Sequence, residues 1–107
     1  MAFDALEVAL SVIPLLARAL EKIARRDPDL ARQIRRATHS FPQNIAEGRE
    51  RKGGDRVYLY TVAFGSTAEV VTSLRIALGF GYVDDADIAA PLAELDRVSA
   101  MLWRLTQ

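Results

Sequence analysis

The sequence contains no cysteine. That excludes disulfides, thiol catalysis and thiolate metal sites, and it suits a reducing cytoplasm. Histidine is almost as scarce: His39 stands alone, whereas a di-iron bundle site needs a Glu-x-x-His pair on each of two helices. Neither sign of charge dominates, since 14 basic residues face 14 acidic ones. No global field therefore draws the chain to nucleic acid or to a membrane surface. The strongly apolar run between Glu7 and Arg18 is far shorter than the roughly 20 residues that span a bilayer. Met1-Ala2-Phe3-Asp4 is acidic and does not read as the basic start of a signal peptide. Strand alternation, internal repeats and low-complexity tracts are absent as well. A soluble cytoplasmic protein without a membrane partner is expected.

What is present is a chain of 107 residues, 50% of them apolar and 26% charged, which is enough for one folded domain over residues 1–107. Its apolar residues recur at helical spacing. A first helix is predicted from Phe3 to Arg26 through Leu6, Ala9, Leu10, Ile13, Leu16, Ala17, Leu20 and Ile23, with a kink at Pro14. Asp27-Pro28-Asp29 reads as a stop followed by a new helix with proline in its first position. This second helix runs to about Arg51. Pro42 should bend it and leave the carbonyl of Thr38 in need of a hydroxyl or a water. Gly53-Gly54 breaks it, and Asp55 is placed to cap a third helix that reaches Leu78. Gly79 ends that helix, and Phe80-Gly81-Tyr82 makes a tight connection. The fourth helix starts near Asp84, with Pro91 in its second turn, and ends near Thr106.

The second helix is the most informative. On a wheel turning about 100° per residue, Leu30, Ile34, Ala37, Phe41, Ile45 and Gly48 form one apolar seam. Beside it runs a polar line of Arg36, Ser40, Asn44 and Glu47. Polar groups at a core edge imply partners, because unpaired burial is costly. Ser66 and Glu69 on the third helix are the matching groups, and Arg36 is the cation expected to balance Glu47 and Glu69. The third helix carries two apolar faces. One holds Leu59, Ala63, Ser66, Val70, Leu74 and Ala77, and the other Tyr60, Phe64, Val71 and Leu78. In so small a chain the second face is expected at a contact between subunits, with Tyr60, Phe64 and Val71 in it.

Ser40, Pro42, Asn44, Ile45, Ala46, Glu47 and Gly48 resemble the Ser-x-Pro-x-Asn-Ile-Ala-Glu-Gly hallmark of a bacterial four-helix bundle family. That family is encoded in intervening sequences of large-subunit ribosomal RNA genes. Gln33, Arg35, Arg36 and Ala37 match the approach to the hallmark. Gly65, Ser66 and Glu69 match its Gly-Ser-x-x-Glu block, and Leu74, Ala77, Gly81 and Tyr82 its closing pattern. The resemblance implies an all-α, antiparallel up-and-down four-helix bundle, commonly assembled as a homopentameric ring. It also implies kinship in fold with accessory proteins of diversity-generating retroelements, which bind RNA and reverse transcriptase. No catalytic role comes with it.

The candidate sites follow. Arg36, Ser40, Asn44, Glu47, Ser66 and Glu69 read as a structural polar network joining the second and third helices. Two carboxylates there invite an acid–base reading, but no nucleophile or metal-binding cluster accompanies them. The wheel turns His39 away from the seam. The stretch Gly48 to Asp55 lacks the Gly-Lys-Ser/Thr ending of a phosphate loop and follows a helix rather than a strand. Tyr58, Tyr60, Phe64 and Trp103 could stack on bases, though at helical spacing they read better as core or interface. From Arg25 to Arg56 nine basic residues oppose five acidic ones. Arg49, Arg51, Lys52 and Arg56 at the bend between helices are the residues suited to RNA phosphates. The expectation is a non-catalytic homo-oligomer acting as scaffold or adaptor, without cofactor, metal or small-molecule substrate. The alternative is an accessory protein whose basic rim binds RNA or a nucleic-acid enzyme.

Overall fold

The computed structural model describes residues 4–107; Phe3, where the first expected helix begins, lies outside them. The described chain is all-α, with α1 (Ala5–Leu15), α2 (Ala17–Arg26), α3 (Pro28–Arg49), α4 (Gly53–Gly79) and α5 (Asp85–Leu105). Five helices replace the expected four because the first segment divides at Leu16. Pro14 has no N–H to give the carbonyl one turn back, and its ring crowds that carbonyl. Two residues later the Leu16 N–H is shared between Val12 and Ile13 at 3.2 and 3.1 Å, the tightened geometry of a 3₁₀ turn. Regular spacing resumes at once, with the Leu20 N–H on the Leu16 carbonyl at 2.9 Å. Pro42 and Pro91, by contrast, lie buried inside continuous helices. The carbonyl that Pro42 frees receives no side-chain hydroxyl among the described residues, and the Thr38 hydroxyl beside it is itself buried without a partner.

Local chemistry sets the helix ends. The Asp4 carboxylate accepts the Glu7 N–H at 2.9 Å, and Asp27 accepts that of Leu30 at 3.0 Å with Pro28 in the first turn. These are side-chain caps on otherwise orphaned donors. At α4 the expectation is corrected: Lys52 is the N-cap, and Asp55 sits within the first turn. Gly53 takes a φ of +59°, open to glycine at little cost. Helix α4 ends at Gly79 as expected, and the left-handed residue that closes its end is Gly81, two positions on. With Gly81 at φ +76°, its N–H reaches Leu78 at 3.0 Å and the Tyr82 N–H reaches Ala77 at 2.9 Å. This is the Schellman arrangement, which satisfies two terminal carbonyls together.

The predicted α3 seam is the centre of the core: Leu30, Ile34, Ala37, Phe41, Ile45 and Gly48 are all buried. The largest helix–helix contact is α3 on α4; α4 then packs on α5, α5 on α1, and both α1 and α2 on α3. The molecule measures 43 × 28 × 19 Å. Its length matches the roughly 40 Å that α4 spans at about 1.5 Å per residue. No helix among the described residues is long and apolar enough to cross a membrane.

The reading of α4 needs a second correction. Tyr60 is 6% exposed and belongs to the core of its own chain, while Phe64, Val71 and Leu78 pack against that core. Because α4 serves both α3 and α5, its two predicted faces are both used within the subunit. Its outward row is instead Val57, Tyr58, Thr61, Gly65, Ala68, Thr72 and Ile76.

Asp87 fastens α2 to the start of α5. The side chain is 4% exposed and meets Arg18 at 3.0 Å and Lys22 at 2.7 Å, and it accepts the Asp84 N–H at 2.9 Å. That backbone bond, then the Lys22 hydrogen bond and the two nearby cations, hold the carboxyl below the usual carboxylate range against the opposing effect of burial. A depressed folded pKa stabilises fully above the unfolded value and stops contributing as pH falls through the folded one. Asp87→Asn should therefore lower the melting temperature at pH 7 and much less at pH 3. An equal decrement at both pH values in thermal melts contradicts this assignment.

Candidate functional site

The polar line on α3 resolves into a short directed chain. Asn44 Nδ2 donates to the Ser40 carbonyl at 2.9 Å and to Ser40 Oγ at 3.2 Å. Ser40 Oγ lies 2.7 Å from Ser66 Oγ on α4, and Ser66 Oγ donates to the Val62 carbonyl at 3.2 Å. With the Ser66 proton committed to Val62, Ser40 is the donor between the two hydroxyls, so polarisation runs one way along the chain. All three side chains are half-buried. Their short reach lets α3 and α4 approach closely. Arg36, Glu47 and Glu69, expected in the same network, are exposed, and their side chains make no ion pair or hydrogen bond among the described residues. Longer side chains at a core edge extend past it and keep their charges hydrated. Among the described residues no acidic or basic side chain bonds to either serine hydroxyl.

One turn beyond Asn44, Gly48 closes the hallmark for a steric reason. A Cβ added there would stand 2.6 Å from Tyr60 Cε1 and 2.9 Å from Cδ1. The ring of Tyr60 occupies the space that any side chain would fill. With the facing serines, this contact makes two close approaches along one helix pair.

The basic cluster divides by task. Arg56 donates Nε to the Gly48 carbonyl at 3.1 Å and a terminal nitrogen to the Arg49 carbonyl at 3.0 Å. Its guanidinium fork thus caps the end of α3, where unpaired carbonyls and the helix dipole favour a cation. Sequence reasoning placed Arg56 with the RNA contacts and missed this role; its position just after a three-residue connection was the available signal. Arg49 pairs with Asp4 at 3.5 Å. Arg51 and Lys52 are exposed and carry no ion pair among the described residues. His39 is exposed as expected. Among the described residues no three His, Asp or Glu side chains gather in a metal-binding group. Of the aromatics, Phe64 and Trp103 pair at 6.1 Å with rings inclined by 45°, and Tyr58 is 67% exposed.

If the directed chain stabilises the α3–α4 contact, Asn44→Leu and Ser66→Ala should each cost about 1 kcal/mol, while Arg36→Ala should leave the melt unchanged. Denaturant titrations that find both losses negligible, or Arg36→Ala as damaging as either, contradict this account.

Comparison with known proteins bears on the fold. A solved structure from Bacteroides thetaiotaomicron, described as a protein of unknown function from the S23 ribosomal protein family, superposes with a TM-score of 0.85. The match covers 96% of this chain and 98% of that one at 13% identity. At that identity the likeness speaks for the fold alone. No curated protein matches the chain. The family model described as 23S rRNA-intervening sequence protein matches residues 3–104, which takes in the α3 hallmark and the Gly65-Ser66 block of α4. The chain belongs to the 23S rRNA-intervening sequence protein family.

Proposed function

We propose that this chain is a non-catalytic, self-assembling scaffold or adaptor module. Its subunit is a four-helix bundle in which α1 and α2 act as one interrupted arm, since backbone hydrogen bonding resumes directly after Leu16. The observation that carries the reading is the outward face of α4. Val57, Tyr58, Thr61, Gly65, Ala68, Thr72 and Ile76 lie on one exposed stripe, and residues 57–68 include no charge. At about 1.5 Å per residue the stripe runs close to 30 Å. Its first three turns, Val57 to Ala68, are free of charge over about 17 Å, and exposed Glu69 and Arg75 border the rest; an uncharged surface of this kind is what partners cover. A second apolar ridge, Leu10, Ile13 and Leu15 on α1, is 36–45% exposed. Both α1 and α4 pack on α3 and α5, which sets α1 and α4 on opposite sides of the molecule. Two different apolar faces turned opposite ways favour head-to-tail association, which closes into a ring when the rotation permits. A homopentameric ring is the form the family resemblance implies, and the lack of cysteine suits a cytoplasmic setting.

A second reading, RNA binding by the rim of such a ring, draws on Arg51 and Lys52, whose charges are exposed and unpaired among the described residues. Repetition around a ring would sum many weak phosphate contacts. Arg49 and Arg56 favour it less, because Asp4 and the α3 carbonyls engage them. The family description refers to where its members are encoded and carries no ligand.

Light scattering tests the first reading. The wild-type chain should have the mass of a closed oligomer at micromolar concentration. Gly65→Arg, which has open space around it within the subunit, should yield monomers, and so should Leu10→Arg. Both should keep the wild-type circular dichroism, because a buried unpaired charge is penalised only at the interface. A monomeric wild type, or variants that still assemble, overturns it. Structured RNA retained at low salt, and lost when Arg51 and Lys52 are both changed to Glu, would establish the second reading.

A further inference from the structure

A cleft of about 370 Å³ opens where α3 and α5 end and α1 begins. Its floor is core: Ala5, Ile45 and Tyr60 are 5%, 1% and 6% exposed. Its wall is aliphatic, made by Met101 and by Leu105, which is held 47% exposed beside that floor. Arg49, Arg104 and Asp4 stand at the rim. The volume lies near the lower end of the roughly 300–1,000 Å³ typical of small-molecule sites, and an apolar lining with few polar groups is their usual make-up. Three features set the charge of an occupant. The Arg104 guanidinium has no ion pair or hydrogen bond among the described residues. Arg49 is shared only with Asp4, at 3.5 Å and with both side chains about half exposed, so two guanidinium groups face one carboxylate. Arg56 takes the Gly48 and Arg49 carbonyls, which removes the acceptors that the end of α3 would otherwise turn towards an anion. The Tyr60 hydroxyl also lacks a hydrogen-bond partner among the described residues, leaving it free to donate.

We propose that this cleft binds a small amphiphilic monoanion, a medium-chain aliphatic carboxylate. The aliphatic chain covers Ile45, Tyr60 and Leu105, with Met101 adapting to its shape. The carboxylate meets the fork of Arg104 and the shared guanidinium of Arg49, in the planar geometry that arginine offers such groups. One surplus positive charge at the rim matches one negative charge on the ligand. The site is separate from the outward stripe of α4, so it stands or falls independently of self-assembly.

Isothermal titration of the full chain with octanoate, 1-octanol and octylammonium, all below micellar concentrations, tests the proposal. Octanoate should bind at least about tenfold more tightly than 1-octanol, the scale of one charge-assisted hydrogen bond, and octylammonium more weakly than either. Arg104→Gln should erase the preference for octanoate over octanol. Leu105→Asp should weaken both by about tenfold or more, and thermal melts should confirm that both exposed-site variants remain folded. Equal binding of octanoate and octanol overturns the proposal. So does octanoate affinity that neither Arg104→Gln nor Leu105→Asp changes, or a native chain that binds none of the three.

Discussion

The close approach of α3 and α4 is the constraint on which the other contacts depend. Two points along the pair lack bulky side chains between the backbones: Ser40 facing Ser66 at 2.7 Å, and Gly48 under the ring of Tyr60. Interiors are packed as densely as organic crystals, so a methyl group at either point has to displace something. Because α3 lies against α4, its seam of Leu30, Ile34, Phe41 and Ile45 is fully covered. The same contact brings Arg56 within reach of the last carbonyls of α3. The remaining helices complete the enclosure. Asp87 clips α5 to α2, and α1 lies on α5 and α3.

Much of this was legible in the residue order because α3 is amphipathic in a simple way. One period of 3.6 residues ran through Leu30 to Gly48, and each of those positions is buried. The cap at Asp27-Pro28 and the facing serines were readable for the same reason, since short polar groups at a core edge require partners. The α4 helix was not readable in that way. It is apolar on nearly every side, so periodicity could not tell the face toward α3 and α5 from the face toward solvent, and Tyr60 was placed outside its own core. Arg56 was misread because charge alone does not distinguish a phosphate ligand from a helix cap. The position of the neighbouring backbone decides that. Pro14 was recognised as an interruption, whereas Pro42 and Pro91 fit within unbroken helices that tertiary packing holds together.

The same physics shapes the functional reading. Two polar residues of the hallmark, Ser40 and Asn44, are bonded where α3 meets α4, and Gly48 makes room for Tyr60, while Glu47 stays exposed. The buried carboxylate of Asp87 is likewise occupied, with two cations and a backbone N–H around it. Groups so engaged have their hydrogen-bonding capacity taken up by the fold. What lies open is different in kind: an uncharged stripe on α4, an apolar ridge on α1, and a cleft with a basic rim. The proposals of self-assembly and ligand binding rest on these surfaces.

The central claim is that the α3–α4 contact is set by steric exclusion between residue 48 and the ring of Tyr60. A double-mutant cycle measured by denaturant unfolding tests it most directly. Gly48→Ala alone should destabilise by about 1–3 kcal/mol, the usual range for overpacking, despite the better helix propensity of alanine. In a Tyr60→Leu background the same change should lose most of that penalty, giving a coupling energy above about 1 kcal/mol. Simple additivity of the two substitutions, or a Gly48→Ala chain as stable as the wild type, would contradict the account.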